Sequence, residues 1–140
     1  MHNSDDDLRR FLTETKVIAL VGWSPNPERP SHRVAAFLLS KGFRVIPVNP
    51  GQAGNAALGE VVRASLSDIP EAVDMVDIFR RSEEVGAVVD EALRLYPKVK
   101  VIWMQLGVED AVAAEKARAA GVDVVMNRCP AIEMPRLRLS

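Results

Sequence analysis

The sequence predicts a single α/β domain, a doubly wound, mostly parallel sheet of five or six strands with helices on both faces. Three observations predict it. Short runs rich in β-branched and other apolar residues, at Val17–Val21, Val45–Val48, Met75–Phe79, Val99–Met104 and Val122–Met126, alternate with helical patterns. These runs are apolar nearly throughout, as strands covered on both faces must be. With 140 residues, the chain is long enough to bury a real core and short enough for one domain, 1–140.

Taken in order, Ser4 followed by Asp5, Asp6 and Asp7 reads as an N-cap with acids in the first turn. Leu8, Phe11 and Leu12 then form an apolar stripe, so residues 1–14 are expected to be a helix leaning on the sheet. Val17–Val21 is a strand that Gly22 ends. Residues 23–30 carry three prolines and finish in Pro30-Ser31, which suits a helix with proline at its first position. That helix keeps Val34, Phe37 and Leu38 on one face and stops at Lys41-Gly42. Val45–Val48 follows and Asn49-Pro50 ends it, which completes a right-handed βαβ crossover. Gly51–Gly59 has no period and is expected to be a mobile loop, Glu60–Ala64 a short edge strand, and Ser67-Asp68-Ile69-Pro70 a turn.

The second half repeats the alternation. After the strand Met75–Phe79, Ser82 is placed to cap a helix whose Val85, Val88, Val89, Ala92 and Tyr96 share an apolar face. Val99–Met104 is the next strand, Glu109–Ala120 an alanine-rich helix closed by Gly121, and Val122–Met126 the last strand. The tail 127–140, with two prolines and three arginines, is expected to be irregular.

Composition narrows the function classes. Eighteen basic and 19 acidic residues give a net charge of −1, so neither nucleic acid nor an anionic membrane surface is an expected partner. No run approaches the ~18 apolar residues of a membrane span, and charged residues rather than a secretory core follow Met1. The single cysteine forms no internal disulfide, and the expected setting is cytoplasmic. Two histidines, His2 and His32, without spaced Cys or carboxylate partners, give no metal site. No Gly-x-Ser-x-Gly elbow or Cys/His pair marks a hydrolase.

Candidate binding residues gather at the carboxyl edge of the sheet. There the loop after the first strand meets a helix N-terminus, where free backbone N–H groups favour anions. Ser24, Ser31, Arg29 and His32 add phosphate-binding chemistry, although the same residues suit a solvated βα loop. A dinucleotide fingerprint would need Gly-x-Gly-x-x-Gly and an acid after the second strand; the loop has Gly22 alone, with Trp23 and prolines, and the strand ends in neutral Asn49. At the end of the third strand, Phe79-Arg80-Arg81 brings an aromatic plane and cations to the same crevice, suited to a base and a phosphate. The alternative is that Phe79 closes the core while Arg81 neutralises Glu83 or Glu84. Asp77, an acid inside an apolar strand, has no partner visible in the sequence. Gln105-Leu106-Gly107 allows either close backbone approach to a ligand or a tight turn at positive φ. Cys129 is placed to reach the crevice, where Arg128 would favour its thiolate, or to be a small buried apolar residue.

Five motifs in order, Gly-x-Ser-Pro-x-Pro-x-Arg-Pro-Ser, Val-Ile-Pro-Val-Asn-Pro, Asp-Ile-Phe-Arg-Arg-Ser, Trp-x-Gln-Leu-Gly and Arg-Cys, resemble the small single-domain CoA-binding proteins, which are similar to the CoA-binding domain of the succinyl-CoA synthetase alpha subunit. The resemblance runs from about Leu12 to Leu137. It implies a Rossmann-like fold and contacts to coenzyme A or an acyl-CoA from Gly22, Ser24, Arg29, Ser31, Asn49, Pro50, Phe79, Arg80 and Gly107, with Trp23 beside them in the loop. Asn26 stands where many members of the family carry a lysine, which lowers the expected phosphate affinity or leaves it to Arg29. The synthetase mechanism uses a phosphorylated histidine in a second domain, and His32 lies too close to the loop to replace it. The resemblance therefore implies a non-catalytic binding or regulatory module, acting with a partner protein or as a homodimer. The alternatives are an NAD(P)- or FAD-dependent oxidoreductase domain and a subunit of a CoA ligase that needs a partner chain.

Overall fold

The structure is a computed structural model that describes residues 3–95 and 97–140, so His2 and Tyr96 lie outside the described residues. Helix α1 (Asp5–Glu14) starts in a capping box: Ser4 Oγ accepts from Asp7 N at 3.0 Å and Asp7 Oδ2 from Ser4 N at 3.1 Å. It buries Leu8, Phe11 and Leu12, each side chain contributing roughly 1.5–3 kcal/mol of transfer free energy. Strand β1 (Val17–Val21), helix α2 (Pro30–Ser40) and strand β2 (Arg44–Val48) form the expected crossover, with Pro30 in the first turn of α2. A two-residue hairpin, β3 (Ala56–Ala57) and β4 (Glu60–Val61), follows. The chain then continues through β5 (Val73–Ile78), α3 (Val85–Arg94), β6 (Val99–Met104), α4 (Ala111–Ala119), β7 (Asp123–Val125) and α5 (Pro130–Arg136).

The main sheet has five strands in the order β2-β1-β5-β6-β7, and every neighbouring pair is parallel. Its side chains divide with a period of two. Ile18, Leu20, Met75, Val101 and Trp103 meet α1, α2 and α5 on one face. Ala19, Val21, Val76, Ile78, Ile102 and Met104 meet α3 and α4 on the other. From β1 the chain moves outward to β2, returns to the far side of β1 as β5, and moves outward again. That reversal makes the carboxyl ends of β1 and β5 a topological switch point, where open α/β sheets bind ligands.

Four expectations are corrected. The tail 127–140 is not irregular, because Pro130 opens α5 and Met134 and Leu137 pack into the α1–α2 layer. Gly51–Gly59 is not a featureless loop: Pro50–Gln52 is a 3-10 turn, and Leu58 and Gly59, both at positive φ, form the tight hairpin turn. The edge strand expected over Glu60–Ala64 reduces to β4, which joins the hairpin, while Arg63 makes a single parallel bridge to Val48. The third helix begins at Val85 after a 3-10 turn over Ser82–Glu84, and Ser82 Oγ accepts instead from Glu109 N at 3.0 Å.

Candidate functional site

Two hollows open side by side at the switch point. The first, a pocket of about 380 Å³, lies between the β1–α2 loop and the end of β5. Gly22, Trp23, Ser24, Arg29 and Ser31 line it from the loop, together with Pro30. Asn49 lines it from the end of β2, and Phe79 and Arg80 from the end of β5. Pro50 and Gly107 are absent from that lining. Gly22 is the residue that lets the two loops meet. At φ +91° it lies so near β5 that a Cβ would fall 2.3 Å from the Phe79 carbonyl oxygen.

The loop is held by its own hydrogen bonds. Ser31 Oγ, buried, accepts from Ser24 N at 3.0 Å, and Ser24 Oγ accepts from Asn26 N at 3.1 Å. Asn26 Oδ1 accepts from Glu28 N at 3.0 Å, and Gly22 N and Trp23 N donate to the Val48 carbonyl. Asn49 latches the neighbouring turn, its Nδ2 donating to the Trp23 carbonyl at 2.7 Å and its Oδ1 accepting from Gly51 N at 2.9 Å. The expectation of a row of free amides is thereby corrected, since most loop N–H groups are taken up internally. The donors left at this pocket are the guanidinium groups of Arg29 and Arg80 and the hydroxyl hydrogens of Ser24 and Ser31, whose oxygens act as acceptors in the loop.

Gly107 lies in the turn after β6. Its N–H donates to Asn127 Oδ1 at 2.7 Å and its φ is +80°, as the tight-turn reading expects. His32 does more than lie on a helix face. Its Nδ1 is 3.1 Å from the Ser24 carbonyl, so Nδ1 carries the proton, and its ring stacks on Trp23 with centroids 5.9 Å apart. Two polar features at the pocket have no protein partner. The Trp23 indole N–H is buried without an acceptor. Arg29, Arg80 and the neighbouring Arg81 make no ion pair or side-chain hydrogen bond among the described residues.

The second hollow, about 550 Å³, shares Pro30, Phe79 and Arg80 with the first. Val34, Leu106, Val108 and Cys129 add an apolar wall; Gln105, Arg33 and Arg81 complete it. Cys129 is 6% exposed, which accords with the buried-thiol reading and also places it at this wall. Gln105 supplies the partner that Asp77 lacks in the sequence. With its amide nitrogen turned inward it donates to both Asp77 oxygens, at 2.9 and 3.3 Å. Asp77 is completely buried, and burial pushes its carboxyl well above the usual carboxylate range. When protonated, it would donate to the oxygen of the rotated amide instead.

The fold and pocket define a class: a Rossmann-like α/β domain with an arginine-lined crevice at its switch point. Residues 16–135 match the family model described as a CoA binding domain, and the chain belongs to that family. It is 35% identical over 126 residues to the uncharacterised protein YneT of Bacillus subtilis, covering 90% of each chain. A solved Thermus thermophilus protein, cell-free ID.343, is 37% identical, with a TM-score of 0.90 over 96% of this chain and 99% of that one. The acetyl-coenzyme A synthetase 1 of Ca. Korarchaeum cryptofilum, solved with phosphate and ADP, is 26% identical with a TM-score of 0.65; the match covers 78% of this chain and 25% of that one. Among the described residues, no helix is long and apolar enough to cross a membrane.

Proposed function

We propose that the protein binds coenzyme A at the carboxyl edge of its sheet, in the pocket between the Gly22 loop and Phe79, as a binding or regulatory module that performs no chemistry on the cofactor. The observation that carries this reading is the pair of guanidinium groups, Arg29 and Arg80, that line one pocket at the switch point without a carboxylate between them. CoA supplies the complement: phosphates for the two arginines and serine hydroxyls, and a base for the Phe79 ring. A nicotinamide or flavin dinucleotide fits less well, because Asn49 is neutral and both ends of its side chain are already engaged.

Isothermal titration with CoA, NAD, NADP and FAD in parallel tests the reading. Micromolar CoA binding with none of the dinucleotides is the expected result; dinucleotide binding without CoA would overturn it. A second reading, a ligase subunit that needs another chain, draws on the quarter-length match to the Korarchaeum synthetase. Co-purification with an ATP-using partner would favour that reading.

A further inference from the structure

We propose that the second hollow is an acyl chamber, so that the ligand the protein is built for is an acyl-CoA carrying a neutral hydrocarbon chain rather than free CoA. The inference rests on the reading of the adjoining pocket as the CoA site.

Continuity is the first argument. Pro30, Phe79 and Arg80 belong to both hollows, so a ligand anchored by its phosphates in the smaller one passes into the larger without leaving the protein. The change of chemistry along that path is the second. The smaller pocket is walled by two serines, an asparagine and two arginines, whereas the larger one, which carries Arg33 and Arg81 besides the shared Arg80, adds the apolar side chains Val34, Leu106, Val108 and Cys129 beyond the shared Phe79. Leu106 is 55% exposed at the chamber wall, an apolar side chain that a hydrocarbon would take out of water. The third argument concerns polar groups. The pantetheine arm carries two amides, and Gln105 is the one side-chain amide in this wall, its own amide already tied to Asp77. The apolar side chains Val34, Leu106 and Val108, which share the wall with Arg33, Arg80 and Arg81, suit a segment with no hydrogen-bonding demand, which is what an acyl chain past its thioester is.

The test is a titration series of CoA, acetyl-CoA, butyryl-CoA, hexanoyl-CoA and octanoyl-CoA, with adipoyl-CoA as the carboxyl-terminated match to hexanoyl-CoA. Affinity is expected to rise about fourfold per buried methylene, the equivalent of about 0.8 kcal/mol, until the chamber is full. Leu106→Asn, at an exposed position and adding no charge to a wall that includes Arg80, should flatten the series while CoA itself binds as before. CoA binding with a flat series in the unmodified protein would overturn the acyl chamber and leave the CoA site standing. Tighter binding of adipoyl-CoA than hexanoyl-CoA would overturn the neutral-hydrocarbon assignment. Failure of every member, CoA included, would overturn both readings and is recognisable as the failure of the first.

Discussion

At the amino edge of the sheet, Asp74 closes the strand ends: its Oδ2 accepts from Lys16 N and from Val17 N, each at 2.9 Å, and its Oδ1 is 3.8 Å from Lys100 Nζ. Arg10 stands between Asp7 and Asp123 at 4.0 and 3.9 Å. A hollow of about 320 Å³ lies there, close in size to the pocket of about 380 Å³ at the carboxyl edge. At the carboxyl edge the arrangement is reversed, with backbone groups satisfied by Ser24, Ser31 and Asn49 while Arg29 and Arg80 are left without carboxylates. Size does not separate the two hollows. Charge pairing does, because a cation already beside a carboxylate has little left to offer an anion, and an unpaired one has all of its electrostatic attraction available.

The largest effect that tests this contrast comes from two glycines with nearly the same backbone. Gly22 at φ +91° would place a Cβ against the Phe79 carbonyl, whereas Gly42 at φ +94°, at the amino edge, has nothing within 4 Å. Gly42→Ala is expected to cost only the left-handed penalty of about 1 kcal/mol, and Gly22→Ala about 3 kcal/mol together with loss of CoA binding. Urea denaturation and titration of both variants would measure this, and equal costs would deny that the β1 and β5 loops are wedged together.

A pair of charge deletions sharpens the comparison next. Arg29→Ala and Arg80→Ala should each weaken CoA binding by about 1–3 kcal/mol and flatten its salt dependence, with little change in stability. Asp74→Ala should do the opposite, destabilising by about 1–3 kcal/mol because two strand N–H groups lose their acceptor, while CoA affinity stays put. Calorimetric titration alongside thermal melts distinguishes the two patterns.

Asp77 belongs to the sheet interior between the edges, and its contribution depends on pH. Folding raises its pKa, so the folded chain holds a proton that the unfolded chain releases above about pH 4. Stability from this group is therefore complete below that value and falls as pH rises toward the folded pKa, by at most about 1.4 kcal/mol per pH unit. Asp77→Asn should remove that decline, which urea midpoints measured across the acid-to-neutral range would show. The smallest expected effect is Ser24→Ala, about 0.5–1.5 kcal/mol in CoA affinity, since one hydroxyl donor and one loop acceptor are lost together.

Which parts of this were legible in the sequence follows from how far apart the deciding residues lie. The α1 cap involves Ser4 and Asp7, three residues apart, and the pattern names Ser4 as the N-cap, to which the structure adds the return bond from Ser4 N to Asp7. The pocket was legible because apolar runs and helices fix where the carboxyl ends of β1 and β5 must be, and Gly22, Ser24, Arg29, Phe79 and Arg80 follow from that. The tail was not. Pro130 and Pro135 read locally as breakers, yet α5 is held from a distance: Glu133, buried, accepts from Arg128 and Arg136, and Arg136 also reaches Asp5 at 2.8 Å across the whole chain. Two of the three tail arginines thus neutralise carboxylates while part of each side chain stays in solvent. The partner of the Gly107 amide was hidden for the same reason, since it is Asn127, twenty residues on. The β3–β4 turn was hidden because Leu58, at φ +57°, is a residue that rarely adopts that conformation.

The stacked Trp23 and His32 rings carry one more consequence. Of the chain's two tryptophans, Trp103 is fully buried with its Nε1 donating to the Arg128 carbonyl at 2.8 Å, whereas Trp23 lines the pocket with its indole N–H unengaged. The molecule therefore carries a built-in optical gauge. In a Trp103→Phe background, emission would come from a single indole at the pocket wall, its colour reading the polarity beside the ring.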